Sequence, residues 1–148
     1  MSLYKVRETT SEDRYNWTSF VERANNGTVF HTPAFLDYHP EGRFNNHHLV
    51  VETGSGTPVA YIPGALSDME GGTWFRSYPG ASYGGPVIDD SLGLDKVQKV
   101  IDSLLAHCRK QGFAGIEMTP PPICYFRRPH NYIDFALIRN GFGYRKRE

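Results

Sequence analysis

Thr73-Trp74-Phe75-Arg76-Ser77-Tyr78-Pro79-Gly80-Ala81-Ser82-Tyr83-Gly84-Gly85-Pro86 is the stretch on which the fold turns. An apolar, β-prone run passes at Arg76 into a segment that, Arg76 aside, holds only Gly, Pro, Ser, Ala and Tyr. A strand, a glycine-rich turn and a helix start together make a common place to hold a ligand. Glycine lets the backbone approach a bound group closely, and a helix start presents unpaired N–H groups at a positive dipole end. An architectural reading stands beside it: a turn and bulge that splays strands ahead of the helix. Tyr78, Ser82 and Tyr83 lean toward a ligand, because tyrosine offers a flat ring with a hydroxyl and serine hydroxyls hydrogen-bond polar groups.

Downstream, Val97, Val100, Ile101, Leu104, Leu105 and Cys108 recur at the spacing of one helix face, and Gly112 stands where such a helix ends. Phe113 to Met118 reads as a buried strand and Thr119 to Pro129 as a proline-broken loop. Asn131 reads as the cap of a last helix closed by Gly141, and Phe142 to Arg145 as the start of another strand. Upstream, Thr10-Ser11-Glu12-Asp13 precedes a helix over about 12–25, with Trp17, Phe20, Val21 and Ala24 on one face. Thr32-Pro33 opens a short second helix carrying Phe35, Leu36 and Tyr38. His48 to Thr53 and Pro58 to Leu66, joined by Gly54-Ser55-Gly56, predict a β-hairpin.

The chain has 148 residues, the length of one compact domain with its own core. Sixteen Lys and Arg balance sixteen Asp and Glu without a basic stripe, which argues against DNA or other nucleic acid as the main partner. No run approaches a membrane span, and the N-terminus lacks the pattern of a signal peptide, so the expectation is a cytoplasmic protein. Cys108 lies on the helix stripe and reads as a buried thiol rather than half of a disulfide. Nine Tyr, fifteen Gly and ten Pro describe a loop-rich domain suited to a polar ligand or a partner protein. The opening Met1-Ser2-Leu3 and the ending Arg145-Lys146-Arg147-Glu148 fit a piece of a longer protein.

The order of elements is similar to a GNAT-type acyltransferase core, an α+β fold with a mixed, mainly antiparallel sheet flanked by helices. The local wording is more specific. It comprises Trp17-x-x-Phe20-Val21, Gly27-Thr28-Val29-Phe30-His31-Thr32-Pro33-x-Phe35-Leu36-x-Tyr38, Ser77-x-Pro79-Gly80-x-x-Tyr83-Gly84-Gly85-Pro86-Val87, and Leu137-x-x-x-Gly141-Phe142. Together these resemble the N-terminal half of FemAB-like proteins, acyl- or aminoacyltransferases built from two GNAT-like halves. The resemblance implies that residues 1–148 form one GNAT-like domain of a longer two-domain protein. That protein would transfer an acyl or aminoacyl group to an amine of a sugar or peptide precursor of the cell envelope. It further implies that the second half binds the acyl-CoA or aminoacyl donor while this half contributes to the acceptor site. An exposed half-interface would also favour self-association.

Single GNAT domains that bind acetyl-CoA carry an Arg/Gln-x-x-Gly-x-Gly/Ala loop whose backbone N–H groups hold the pyrophosphate. Arg76-Ser77-Tyr78-Pro79-Gly80-Ala81 departs from it, because Pro79 has no N–H and the glycines are displaced. The acidic Asp89-Asp90, read as favouring the next helix start, would also oppose a phosphate there. Acceptor contacts are therefore expected from Arg76, Ser77, Tyr78, Ser82, Tyr83, Gly84 and Gly85, with Tyr38 beside them. Glu117, amid Ile116 and Met118, and His31, just ahead of a helix, are the candidate bases, each with a structural alternative as a strand's polar face or a buried cap. Arg127 and Arg128 read either as an anion clamp or as solvated connectors. His47 and His48 cannot share one strand face, so no metal site is expected. The other readings left open are a non-catalytic binding module and an autonomous acetyltransferase with an unusual donor loop.

Overall fold

The computed structural model describes residues 3–146. Met1, Ser2, Arg147 and Glu148, and with them parts of both terminal signatures, lie outside the described residues. The chain runs β1 (Tyr4–Glu8), α1 (Arg14–Arg23), α2 (Pro33–Leu36), β2 (Asn45–Asn46), β3 (Leu49–Thr53), β4 (Pro58–Ile62), β5 (Ala65–Met69), β6 (Gly72–Ser77), β7 (Val87–Ile88), α3 (Leu94–Gln111), β8 (Gly115–Met118) and α4 (Tyr132–Arg139). Short 3-10 turns occupy Ser11–Asp13, Val29–His31 and Ile123–Tyr125.

The expected hairpin is present and longer than the sequence suggested. β3 pairs antiparallel with β4 and β2 with β5, and Leu49 opposite Ile62 is in the same register as Asn46 opposite Ala65. The two strand pairs are one hairpin, interrupted where His47 and His48 face Pro63 and Gly64. At that break the His47 N–H donates to the Gly64 carbonyl at 2.7 Å and the Gly64 N–H to His48 Nδ1 at 3.1 Å. Around the hairpin, β1 and β7 complete the order β1-β3-β4-β7, and β6 and β8 complete β2-β5-β6-β8, with β6 and β8 parallel. β1 is absent from the sequence reading: its one fully buried side chain, Tyr4, makes no alternating signal.

Strand alternation feeds two cores. Leu49, Val51, Ala60, Ile62 and Phe75 meet the apolar stripe of α3 and the inner face of α4. Val50, Tyr61, Ala65, Tyr78 and Val87 point the other way, against Trp17, Phe20 and Val21 of α1 and Leu36 of α2. Trp17 stacks on Tyr61 with the rings 5.7 Å apart, and its indole N–H donates to the His31 carbonyl at 2.8 Å. The result is a sheet with two helices on each side.

Both later helices end in Schellman motifs. In α3 the N–H groups of Gly112 and Phe113 reach the carbonyls of Arg109 and Cys108, with Gly112 left-handed at φ 78°. In α4 those of Gly141 and Phe142 reach Ile138 and Leu137. This closure explains a correction: no strand forms over 142–145, because Phe142 is the apolar anchor of the helix end and packs on the core. α1 is also shorter than expected, Arg14–Arg23, since Ser11–Asp13 is a 3-10 turn in which the Asp13 carboxylate accepts the Thr10 N–H at 2.7 Å. The Asn131 side chain makes no capping bond to α4.

Leu104 is 0% exposed on the inner face of α3, whereas Phe135 on the outer face of α4 is 48% exposed. Urea denaturation should show a loss of about 3 kcal/mol for Leu104→Ala and under about 0.5 kcal/mol for Phe135→Ala. Equal losses would contradict this placement of the core.

Candidate functional site

The glycine-rich segment is an excursion from a strand. Arg76 pairs with Ala65 and Val87 with Tyr61, so four steps along one arm face eleven along the other, and the seven residues Tyr78–Gly84 leave the ladder. β6 and β7 are therefore one interrupted strand position. This corrects the strand-to-helix reading of Arg76–Pro86, because β7 and a turn at Asp89–Ser91 intervene before α3 begins. Asp89 accepts the Ser91 N–H and hydroxyl at 2.8 and 2.7 Å, and Asp90 accepts the Asn25 N–H at 2.6 Å. Neither caps the helix; Asp95 is the carboxylate in its first turn.

Hydrogen bonds close the root of the excursion. The Ser77 hydroxyl donates to the Pro63 carbonyl and accepts the Gly85 N–H at 2.8 Å. The Gly84 N–H donates to the Thr119 carbonyl at 2.8 Å, and the Thr119 N–H to the Ser77 carbonyl at 3.0 Å. A Cβ on Gly84 would lie 2.5 Å from the Ser77 carbonyl carbon and from the Tyr78 nitrogen, so only glycine fits there. Ala81 donates its N–H back to the Tyr78 carbonyl. The amides of Ala81, Gly84 and Gly85 thus have internal partners.

His31 locks the same root from the α1 and α2 side. It is 0% exposed; Nδ1 accepts the Thr28 N–H at 3.1 Å, which leaves the proton on Nε2 to donate to the Gly84 carbonyl at 3.0 Å. Burial pushes its pKa down to about 4 despite the carbonyl contacts. A neutral, enclosed imidazole with both nitrogens engaged is built as a strut. Tyr78 is also interior: its hydroxyl donates to Asn46 Oδ1, and burial, then the Asp37 charge, pushes its pKa up to about 12. Asn46 and Thr119 carried no signal in the sequence, since their partners, the Tyr78 hydroxyl and the Ser77 and Gly84 backbone, lie far from them along the chain.

Glu117 stands opposite Arg76 across the parallel β6 and β8 pair. Arg76 Nε and Nη2 approach Oε1 at 3.1 and 3.0 Å, and Arg145 binds Oε2. Partial burial acts to raise the carboxyl, but the hydrogen bonds from Arg145 and Arg76 outweigh it and hold Glu117 below the usual carboxylate range. It is an ionised carboxylate held between two guanidinium groups. The sequence offered Arg76 as an acceptor contact and Glu117 as a candidate base without linking them; the structure joins them directly.

Facing outward are exposed Ser82 and half-buried Tyr83, whose ring lies 5.8 Å from Phe30 and 5.5 Å from exposed Tyr125. Beneath the excursion, His39 packs among Phe35, Phe44 and Tyr78, and its Nε2 is buried without a hydrogen-bond partner among the described residues. Tyr38 is 85% exposed and apart from this aromatic run. Arg127 and Arg128 do not form a clamp. Arg127 hydrogen-bonds the last carbonyls of α1, Glu22 and Arg23, while Asn25 holds the Arg128 backbone through both its amide groups. Two clefts of about 480 and 400 Å³ are lined by other residues, one along β1 and α3, the other along β5 and the end of α3 through Phe113.

No protein-family model matches the chain, and no curated protein matches it. Solved structures do. A transcriptional regulator from Bacillus halodurans is 15% identical, with a TM-score of 0.60 over 98% of this chain and 96% of that one. Glucosamine-6-phosphate N-acetyltransferase from Arabidopsis thaliana is 15% identical at a TM-score of 0.54, over 98% and 95%. Aminoglycoside antibiotic 6'-N-acetyltransferase from Acinetobacter baumannii is 8% identical at 0.53, over 98% and 94%. At these identities the likeness speaks to fold. The chain has the α+β architecture of GNAT-type acetyltransferases, as the sequence led us to expect. Among the described residues, no helix is long and apolar enough to cross a membrane.

Two outcomes follow. Gly84→Ala should destabilise by about 3 kcal/mol in urea denaturation, because backbone on both sides blocks relief; a loss under about 0.5 kcal/mol would contradict the tight root. His31 and His48 both have pKa values of about 4 in the folded chain, lowered first by burial, against about 6.5 unfolded. The unfolded chain therefore binds more protons between pH 6.5 and 4, and stability falls with pH across that window by up to about 1.4 kcal/mol per unit per histidine. A urea midpoint that stays level from pH 7 to 4.5 would contradict both assignments.

Proposed function

We propose that this chain is the acceptor-side GNAT-like half of a FemAB-like, two-domain cytoplasmic transferase. The reaction is transfer of an acyl or aminoacyl group to an amine of a sugar or peptide precursor of the cell envelope. The amine attacks the donor ester or thioester directly, and the protein supplies position, proton removal and stabilisation of the carbonyl oxygen. The GNAT-like fold supports acyl transfer as the class of chemistry. The carrying observation is the state of the excursion: Ala81, Gly84 and Gly85 use their N–H groups internally, Pro79 has none, and the polar face turned outward is Ser82 and Tyr83. A pyrophosphate cradle needs free, convergent N–H groups, so the acyl-CoA or aminoacyl donor belongs to the other half.

Within this reading Ser82 and Tyr83, with Arg76 and Tyr38 flanking, meet the acceptor. Ser77, Tyr78, Gly84 and Gly85 hold the loop that carries them. A non-catalytic binding module is the second reading, favoured by one observation: both candidate bases are engaged, His31 in a buried strut and Glu117 between two arginines. An autonomous acetyltransferase is the third.

Calorimetric titration separates these readings. The isolated chain should show no acetyl-CoA binding up to about 1 mM, a dissociation constant corresponding to roughly −4 kcal/mol. Micromolar binding would overturn the acceptor-half assignment in favour of the autonomous enzyme. Glucosamine or a short amine-bearing peptide should shift the amide resonances of Ser82 and Tyr83, and shifts confined to other segments would remove the acceptor role.

A further inference from the structure

Away from the excursion, three titratable side chains from three parts of the fold stand in a line. His47, at the break of the hairpin, sets Nδ1 3.0 Å from Glu8 Oε1 at the end of β1, and its Nε2 lies 3.0 Å from Nε2 of His107 on α3. The ring centroids are 5.3 Å apart, close to the N···N distance lengthened by the two ring radii. The two nitrogens therefore aim at each other along one line, as an N–H···N hydrogen bond requires, instead of converging on a shared point as metal ligands do.

The proton positions follow from the partners. A carboxylate only accepts, so His47 Nδ1 carries a proton; a neutral His47 then accepts at Nε2, and His107 Nε2–H is the donor. The chain reads Glu8 carboxylate, His47 imidazole, His107 imidazole, with the basic nitrogen of His107 at its end. A first added proton on His107 Nδ1 leaves the line intact, and the negative charge of Glu8 favours it. A second proton sets N–H against N–H between two cations, and the contact fails.

The surroundings decide which part gives way. His47 is 7% exposed, wedged edge-on against Phe75 and Phe113, and tied through its N–H to Gly64. His107 borders the cleft of about 480 Å³ between β1 and α3, lined also by Tyr4, Arg7, Glu8, Ser103 and Lys110. The charged groups around the pair are Glu8 and Arg7 from β1 and Lys110 from α3, and Arg7 is already paired with Asp13 and Glu52. Phe75 and Phe113 bring no charge. Water reaches the pair from the cleft side, between β1 and α3.

We propose that Glu8, His47 and His107 form a proton-operated latch that clamps the C-terminal half of α3 against β1 near neutral pH and releases it on acidification, widening this cleft. An imidazole parted from its neighbour and open to water takes up a proton in the ordinary histidine range, near about 6.5, whereas the closed line has room for one added proton at most. Opening therefore takes up at least one proton. Its equilibrium constant rises about tenfold for each pH unit below that value. The latch stands independently of the transferase reading.

Hydrogen–deuterium exchange on the full chain at pH 7.5 and 5.0, corrected for intrinsic rates, tests the latch. Acidification loosens the whole fold through His31 and His48, so the latch is read as a difference: peptides spanning 103–113 should lose about tenfold more protection at pH 5.0 than those of α1. His107→Gln, whose side-chain amide donates to His47 without titrating, should abolish that selective loss. Equal losses in the two sets of peptides in the native chain, or an undiminished difference in the His107→Gln variant, would overturn the proposal. If His107→Gln does not fold, Glu8→Gln decides: removing the charge that favours the singly protonated line should move the release to higher pH, and an unchanged midpoint would overturn the latch.

Discussion

The Ser77 hydroxyl, donating to the Pro63 carbonyl and accepting the Gly85 N–H, is the interaction on which the remaining structure depends. It joins the two ends of an interrupted strand to the hairpin at the point where the hairpin is itself broken. Once Ser77 and Gly85 are side by side, the seven residues between them have no course except outward from the sheet. Gly84 then lies so close to the Ser77–Tyr78 backbone that a side chain is excluded, and its carbonyl is presented to His31. Burial keeps His31 neutral, which fixes it as donor to that carbonyl and couples the excursion to the segment ahead of α2.

The functional reading follows from the same bonds. A loop that grips a phosphate must leave its amides unpartnered until the ligand arrives; here the strand-side amides are engaged within the protein. What remains outward is a surface of hydroxyls and rings, Ser82, Tyr83 and Tyr125, suited to polar contacts and stacking. The Glu117 carboxylate, with Arg76 on one oxygen and Arg145 on the other, braces β6 against β8. Its lowered proton affinity makes it a charge-fixing group and a poor proton acceptor.

Local periodicity made much of this legible. The stripe from Val97 to Cys108 locates α3, Gly112 its end, Thr32-Pro33 the start of α2, and the paired apolar runs the hairpin. Burial of Cys108 was also readable, and its thiol is pushed up to about 12 by that burial. Features set by distant contacts were not readable. β1 buries only Tyr4 completely, β7 spans two residues, and the excursion's root depends on Pro63 and Thr119, far from it in sequence. Phe142 looked like the start of a strand because its apolar character is the same in a helix-end anchor. Arg127 and Arg128 looked available because nothing local announces that the end of α1 needs donors. At the candidate site the residue types were legible, but their division into loop-holding Ser77, Tyr78, Gly84 and His31 and outward Ser82 and Tyr83 was not.

Amide exchange of Gly84 and Gly85, followed by NMR on the isolated chain at neutral pH, measures the central claim directly. Both N–H groups should exchange slowly, with protection approaching that of the Phe75 amide in β6, while the Ser82 amide exchanges near the intrinsic rate. Gly84 and Gly85 amides exchanging as fast as Ser82 would mean that the root is open and its N–H groups are available to a ligand, and the assignment of this loop to the acceptor side would fail.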